Sequence, residues 1–181
     1  MSQRKTISPD VLGKAQSVQL LLLDVDGVLT EGGLLYTHDG EQTKCFNTLD
    51  GHGIKLLQTS GIKVAVISGR DSQALRQRLA DLGIENIQAG VMNKKLAAEQ
   101  VLQQLKLSWA QVAAMGDDWP DLPMLIPAVF SCAPPNAHHE VLSRVDWITQ
   151  QVAGHGAVRE VCDLLLHASG KYDHLLQDAL K

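Results

Sequence analysis

Carboxylates recur in this sequence where several of them could share one cation. Asp24 and Asp26 stand two apart in Asp24-Val25-Asp26-Gly27-Val28-Leu29-Thr30, directly after the apolar run Val18 to Leu23. Asp117, Asp118 and Asp121 stand together in Gly116-Asp117-Asp118-Trp119-Pro120-Asp121, directly after Val112 to Met115. Ser68-Gly69-Arg70 follows the apolar run Ile62 to Ile67, and Lys94 comes shortly after Ile84 to Ala89. Carboxylates gathered on one edge repel one another unless a cation sits among them, and an all-oxygen site suits a hard ion such as magnesium. A lysine and a serine beside that ion suit the oxygens of a phosphoryl group.

These residues meet only if the elements carrying them line up. Val18 to Leu23 is continuous and apolar, the pattern of a strand buried on both faces of a parallel sheet. Ile62 to Ile67, Ile84 to Ala89, Val112 to Met115, Val129 to Cys132 and Val145 to Ile148 repeat it. Between them, Asp71 to Leu82 carries Ala74, Leu75, Leu79 and Leu82 at helical spacing, and Lys94 to Leu107 carries Leu96, Val101, Leu102 and Leu105. Alternating strands and helices predict an α/β fold, a doubly wound, Rossmann-like parallel sheet. In such sheets ligands gather at the carboxyl ends of the strands, where the polar segments fall. Residues 32–46 break the rhythm: Gly32-Gly33 and Asp39-Gly40 between short apolar stretches predict a β-hairpin after the first strand. Ser8-Pro9-Asp10 predicts a short N-terminal helix ending before Val18. Residues 171–181 read as a C-terminal tail, either helical or mobile.

At 181 residues and 19.6 kDa the chain has the size of one domain, spanning 1–181, and can bury a substantial core. With 45% hydrophobic and 20% charged residues it reads as globular, and a net charge of −4 disfavours nucleic acid as partner. Cys45, Cys132 and Cys162 are odd in number and widely spaced, as expected of free thiols in a reducing cytosol. The polar opening from Met1 to Asp10 and the shortness of the run Leu20 to Leu23 give no membrane span, so a cytoplasmic protein is expected.

In this order, the Asp24 to Thr30 segment, Ser68-Gly69-Arg70, the isolated Lys94 and the Gly116 to Asp121 segment resemble the haloacid dehalogenase superfamily over nearly the whole chain. The resemblance implies a phosphatase that passes through an aspartyl phosphate. Asp24 would be the nucleophile, and Asp26 the acid for the leaving group and then the base for water. Magnesium would be held by the Asp24 carboxylate, the Asp26 carbonyl and Asp117. Ser68 and Lys94 would bind phosphoryl oxygens, with Thr30, Asp118 and Asp121 supporting them from behind. Asp118 and Asp121 could instead cap the helix that follows.

Large superfamily members insert a cap domain after the first motif or between the second and third. Neither gap has room for one here, so the resemblance is to the capless branch, whose open sites imply reliance on the hairpin and on neighbouring subunits. Within that branch, Phe46 to Ile54, Arg70, Arg78 and Gly156-Ala157-Val158-Arg159-Glu160 are similar to members that act on an octulosonate 8-phosphate as homotetramers whose hairpins form a central barrel, and a nonulosonate 9-phosphate is the alternative substrate. The implied substrate contacts are Asn47, Thr48, Leu49, Asp50, Gly51, Lys55, Gly69, Arg70, Arg78 and Lys94. Leu49 and Lys55 stand where many members carry arginine, which would rearrange a carboxylate clamp. His138, His139 and His155 read as surface residues. Two other classes carry the same carboxylates: a phosphotransferase on this scaffold, disfavoured by free entry of water, and a non-catalytic receiver-like module. Asp26 separates the last from an enzyme, since a receiver needs no acid and base two residues after its phosphorylated aspartate.

Overall fold

The computed structural model describes residues 7–38 and 40–181. The polar opening as far as residue 6, and Asp39 of the expected hairpin turn, lie outside the described residues.

In chain order the elements are α1 (Pro9–Ala15), β1 (Leu20–Leu23), β2 (Leu35–Thr37), β3 (Gly40–Thr43), α2 (Thr48–Thr59), β4 (Lys63–Ser68), α3 (Gln73–Leu82), β5 (Asn86–Ala89), α4 (Lys94–Leu105), β6 (Val112–Met115), α5 (Leu122–Leu125), β7 (Phe130–Ala133), α6 (His139–Leu142), β8 (Trp147–Ile148), α7 (Ala157–Ala168) and α8 (Tyr172–Ala179). Each predicted strand is present: Val112 to Met115 keeps its bounds, the runs from Ile62 and Val129 shift one residue on, and those from Val18, Ile84 and Val145 start two residues later. Six strands form one sheet in the order β5-β4-β1-β6-β7-β8, and every pairing in it is parallel. The remaining two pair antiparallel as the hairpin.

Continuous apolar runs are required because both faces of the sheet are covered. Alternation along each strand divides its side chains between two cores. Leu21, Leu23, Val64, Val66, Ala113 and Met115 face α2, α3 and α7, while Leu20, Leu22, Ala65, Ile67, Val112 and Ala114 face α4 and α5. A Leu or Ile buried this fully is stabilised by roughly 1.5–3 kcal/mol over an exposed one, so register is firmly set: a slip of one residue would exchange the two cores.

Helix ends are set by local chemistry. The side chains of Ser8, Asn47, Ser72 and Asn93 accept the N–H groups of Val11, Leu49, Leu75 and Leu96 as N-caps. Gly83 ends α3 in the left-handed conformation at φ +68°. Helix α4 departs from the expected face: Val101 and Leu102 are buried but Leu96 is exposed. Burial of Lys94 on the site side fixes the rotation of the helix, and Ala97 and Ala98 meet the sheet instead. Within the expected tail, Tyr172–Ala179 is helical as α8, with Tyr172 and Leu175 packed against the core. No helix among the described residues is long and apolar enough to cross a membrane.

Candidate active site

The chain leaves β1 with β4 on one side and β6 on the other, so the ends of these three strands open onto one crevice. Asp24 follows β1 and donates its N–H to Met115 O at 3.1 Å, which ties the first carboxylate to the end of β6. The following turn is wound on a single acceptor: Val25 O takes the N–H groups of Val28, Leu29 and Thr30. Thr30 is buried there, its hydroxyl donating to Val25 O and accepting from Gly32 N, so it shapes the turn from beneath.

Gly27 and Gly116 are dictated by close approach. Gly27 has φ +89°, and a Cβ on it would lie 2.1 Å from Asp117 Oδ2. A Cβ on Gly116 would lie 2.4 Å from Asp121 Cβ. Only glycine lets these carboxylates sit against the backbone that precedes them.

Lys94 is buried at the start of α4, with Nζ 2.6 Å from both Asp24 Oδ1 and Asp121 Oδ1. Asp121 is fully committed, because its Oδ2 also accepts the N–H groups of Asp117 at 2.9 Å and Asp118 at 3.2 Å. Asp24, Asp117 and Asp121 present ligand atoms within 4.8 Å of one another. With Asp121 held by Lys94 and two amides, Asp24 and Asp117 are the carboxylates left for a cation. The Asp117 carboxylate accepts no hydrogen bond from the described residues, and neither does the Asp26 carbonyl. Burial, and then the negative charge of neighbours, pushes Asp24 up to about 7 and Asp117 up to about 8. A buried Asp24 and a partly buried, unbonded Asp117 carboxylate, both with raised pKa, fit a hard divalent ion, which would favour their charged form.

Ser68, at the end of β4, is buried and accepts Arg70 N at 3.1 Å, leaving its own proton without a protein acceptor among the described residues. Asp118 is exposed and caps a short 3-10 turn by accepting Trp119 N at 2.8 Å. Asp118 thus caps the turn, while Asp121 does both, closing the capping box through Asp118 N and holding Lys94 Nζ.

The residues expected at the substrate mouth separate into groups. Arg70 is half-exposed beside the carboxylates, its Nε 3.9 Å from Asp26 Oδ2, with exposed Gly69 next to it. Asn47 begins α2, donating through Nδ2 to Gly154 O at 3.2 Å. Thr48, Leu49 and Lys55 are exposed along α2. Asp50 turns inward, where it accepts Arg159 N at 2.7 Å and Gly156 N at 3.4 Å and so joins α2 to the start of α7. Arg78 donates to Asn47 O at 2.9 Å and lies over the Phe46 ring, in space that Gly51 leaves open. Leu49 borders a separate cavity of about 620 Å³, lined also by Trp147, His155, Arg159 and Tyr172 and by none of the clustered carboxylates.

Sequence reasoning missed Lys44. It follows β3 and places Nζ 2.6 Å from Asp26 Oδ1. A lysine closing a hairpin carries no local signal, since hairpin lysines are ordinarily solvated. His138 is also nearer the site than expected, donating its N–H to Asp117 O at 2.8 Å and accepting Trp119 Nε1 at 3.1 Å.

A parallel sheet with convergent carboxylates, a buried lysine and a serine at its carboxyl edge defines a phosphoryl-transfer site. Residues 83–161 match the haloacid dehalogenase-like hydrolase family. The chain is 44% identical over 167 residues, 92% of its length and 89% of the relative's, to 3-deoxy-D-manno-octulosonate 8-phosphate phosphatase KdsC of Escherichia coli. On this identity and coverage, the chain belongs to the haloacid dehalogenase-like hydrolases. Among solved structures it is similar to the 3-deoxy-D-manno-octulosonate 8-phosphate phosphatase of Yersinia pestis, with TM-score 0.90, 40% identity and coverage of 92% of this chain and 90% of that one. It is similar also to the Moraxella catarrhalis enzyme of that name in complex with magnesium, phosphate and KDO, with TM-score 0.92, 35% identity and coverage of 95% and 99%.

Proposed function

We propose that this chain is a magnesium-dependent phosphomonoesterase that hydrolyses 3-deoxy-D-manno-octulosonate 8-phosphate (KDO 8-phosphate) to KDO and inorganic phosphate in lipopolysaccharide biosynthesis. The observation that carries this reading is the junction of Asp24, Lys94 and Asp121 beside the unpartnered Asp117 carboxylate. Its setting in a chain 44% identical to KdsC supports the choice of substrate.

In this reading an Asp24 carboxylate oxygen attacks phosphorus and the phosphorus–oxygen bond to the sugar breaks. Asp26 gives its proton to the departing alkoxide. Asp26, now ionised, takes a proton from water as the water oxygen attacks phosphorus, releasing phosphate and restoring Asp24. Lys94 and Ser68 hold equatorial phosphoryl oxygens, so charge that builds in the transition state meets a fixed ammonium and hydroxyl. Magnesium, bound by the Asp24 carboxylate, the Asp26 carbonyl and Asp117, supplies positive charge that offsets repulsion between nucleophile and phosphate.

Arg70, exposed beside Asp26, is the cation for the sugar carboxylate, with Gly69 next to it and Asn47, Thr48, Leu49 and Lys55 as further contacts, whereas Asp50 and Gly51 are buried and serve the α2 packing. Arg78 acts from behind, through the Asn47 carbonyl. The working form is a cytoplasmic homotetramer, supported by Leu35 and Tyr36 of the hairpin, large side chains about 60% exposed. A nonulosonate 9-phosphate is the second substrate reading. The same residues suit it, because both sugar acids carry a carboxylate to which Leu49, 56% exposed on α2, offers no charge.

Phosphate release from KDO 8-phosphate, a nonulosonate 9-phosphate and a hexose phosphate, with and without magnesium, tests the reading. Magnesium-dependent preference for the first is expected. Preference for the second would change the substrate, and no release from any, with Asp26→Asn indistinguishable from the parent, would leave only a binding module.

A further inference from the structure

Between the hairpin and the carboxylates lies a contact that neither the metal nor the phosphoryl group requires. The Asp26 side chain is only partly exposed, and both its oxygens face cations from other elements. Lys44, whose side chain is 1% exposed, places Nζ 2.6 Å from Oδ1. Arg70 Nε stands 3.9 Å from Oδ2, and Arg70 in turn donates through Nη1 to the Tyr36 hydroxyl at 3.3 Å. Tyr36 lies on β2 and Lys44 just after β3, so one leg of the hairpin reaches the carboxylate directly and the other through Arg70.

Burying a lysine stem and ammonium is costly unless a carboxylate compensates it, and removing one partner of such a pair leaves a charge unsatisfied. An aspartate has two side-chain torsions, and among the described residues no backbone amide holds the Asp26 carboxylate. Its orientation therefore depends on side chains delivered by the hairpin. An acid transfers its proton only within hydrogen-bond reach of the leaving oxygen, so this orientation bears directly on the rate.

We propose that Lys44 is a positioning residue that sets the direction of the Asp26 carboxylate, with Tyr36 and Arg70 as the second arm, so that the hairpin is part of the proton-transfer apparatus. This rests on the reading of Asp26 as the general acid. The step Lys44 governs is protonation of the departing oxygen as the phosphorus–oxygen bond breaks; Lys44 itself keeps its proton.

The experiment is the dependence of kcat/KM on the leaving group, with the full chain and saturating magnesium, over p-nitrophenyl phosphate, phenyl phosphate and a primary alkyl phosphate. None of these carries a carboxylate, so loss of a substrate contact cannot imitate the effect. A nitrophenolate leaves without a proton, whereas an alkoxide needs one. Asp26→Asn is expected to lose about 100-fold or more on the alkyl ester relative to the nitrophenyl ester. Lys44→Met is expected to show the same trend, with a relative loss of about 10-fold, and Lys44→Arg to recover most of it. Lys44→Gln, polar and of similar length, is measured beside them, so a folding failure of the methionine variant leaves the comparison standing. A steep dependence in Asp26→Asn with a parental dependence in both Lys44→Met and Lys44→Gln would overturn the proposal. A parental dependence in Asp26→Asn would overturn the reading beneath it.

Discussion

Gly27 and Asp117, ninety residues apart in sequence, touch so closely that a Cβ on the glycine would fall 2.1 Å from the carboxylate oxygen. The first motif thus shapes the last through absence of a side chain. Gly27→Ala would have to displace Asp117 and would also strain a backbone at φ +89°. The expected result is a fall of about 100-fold in magnesium-dependent phosphate release and a stability loss of about 1–3 kcal/mol. Activity within threefold of the parent would show that Asp117 can move without consequence.

Asp121 holds Lys94 at 2.6 Å while its other oxygen takes two amides. Asp121→Asn keeps the shape but replaces a charge-assisted partner with a neutral one, or turns an NH2 group toward donors. We expect kcat to drop about 10- to 100-fold with KM changed less than threefold, because Lys94 would be misplaced for the transition state more than for binding. Steady-state kinetics at saturating magnesium distinguish this from a loss confined to KM.

Magnesium affinity should depend steeply on pH. Asp24 and Asp117 have raised pKa values of about 7 and about 8, so near pH 6 both are largely protonated and the ion must displace their protons. Affinity measured by calorimetry should rise from pH 6 to 8, with proton release that shrinks toward pH 9. The sign for stability is opposite in the metal-free chain. Both groups bind protons more tightly folded than unfolded, so stability falls as pH rises from about 4 through about 8, and magnesium should restore it. A metal-free melting temperature that climbs over this range would contradict the assignment.

Asp50 should matter for folding. Its carboxylate takes the N–H groups of Arg159 and Gly156 at the start of α7, and burial raises its pKa. Asp50→Ala would leave those amides short of a partner at the junction of α2 and α7. Urea unfolding should show a loss of about 1–3 kcal/mol, with an unchanged dependence on denaturant. Since α7 presents no phosphate-binding group, the folded fraction should retain kcat.

The sequence by itself determined the layered architecture and the ends of the strands that carry the polar motifs. A continuous apolar run such as Leu20 to Leu23 is stable only between two layers, and it must stop where charge begins, at Asp24. The cap at Ser8 and the proline at 9 act over a few residues, so local chemistry is enough to read them.

The tertiary structure alone decided which polar residues point into the crevice. Asp118 and Asp121 are alike in sequence, yet one caps an exposed turn and the other is 1% exposed against Lys94, because only Asp121 lies opposite the opening of α4. Asp50, Arg78 and Lys55 belong to helices around one edge, and their directions follow from packing of α2 against α3 and α7 rather than from spacing. Lys44 shows this most clearly. Its place beside Asp26 depends on how the end of the hairpin returns to the turn that follows β1, a long-range closure that no local pattern of residues encodes.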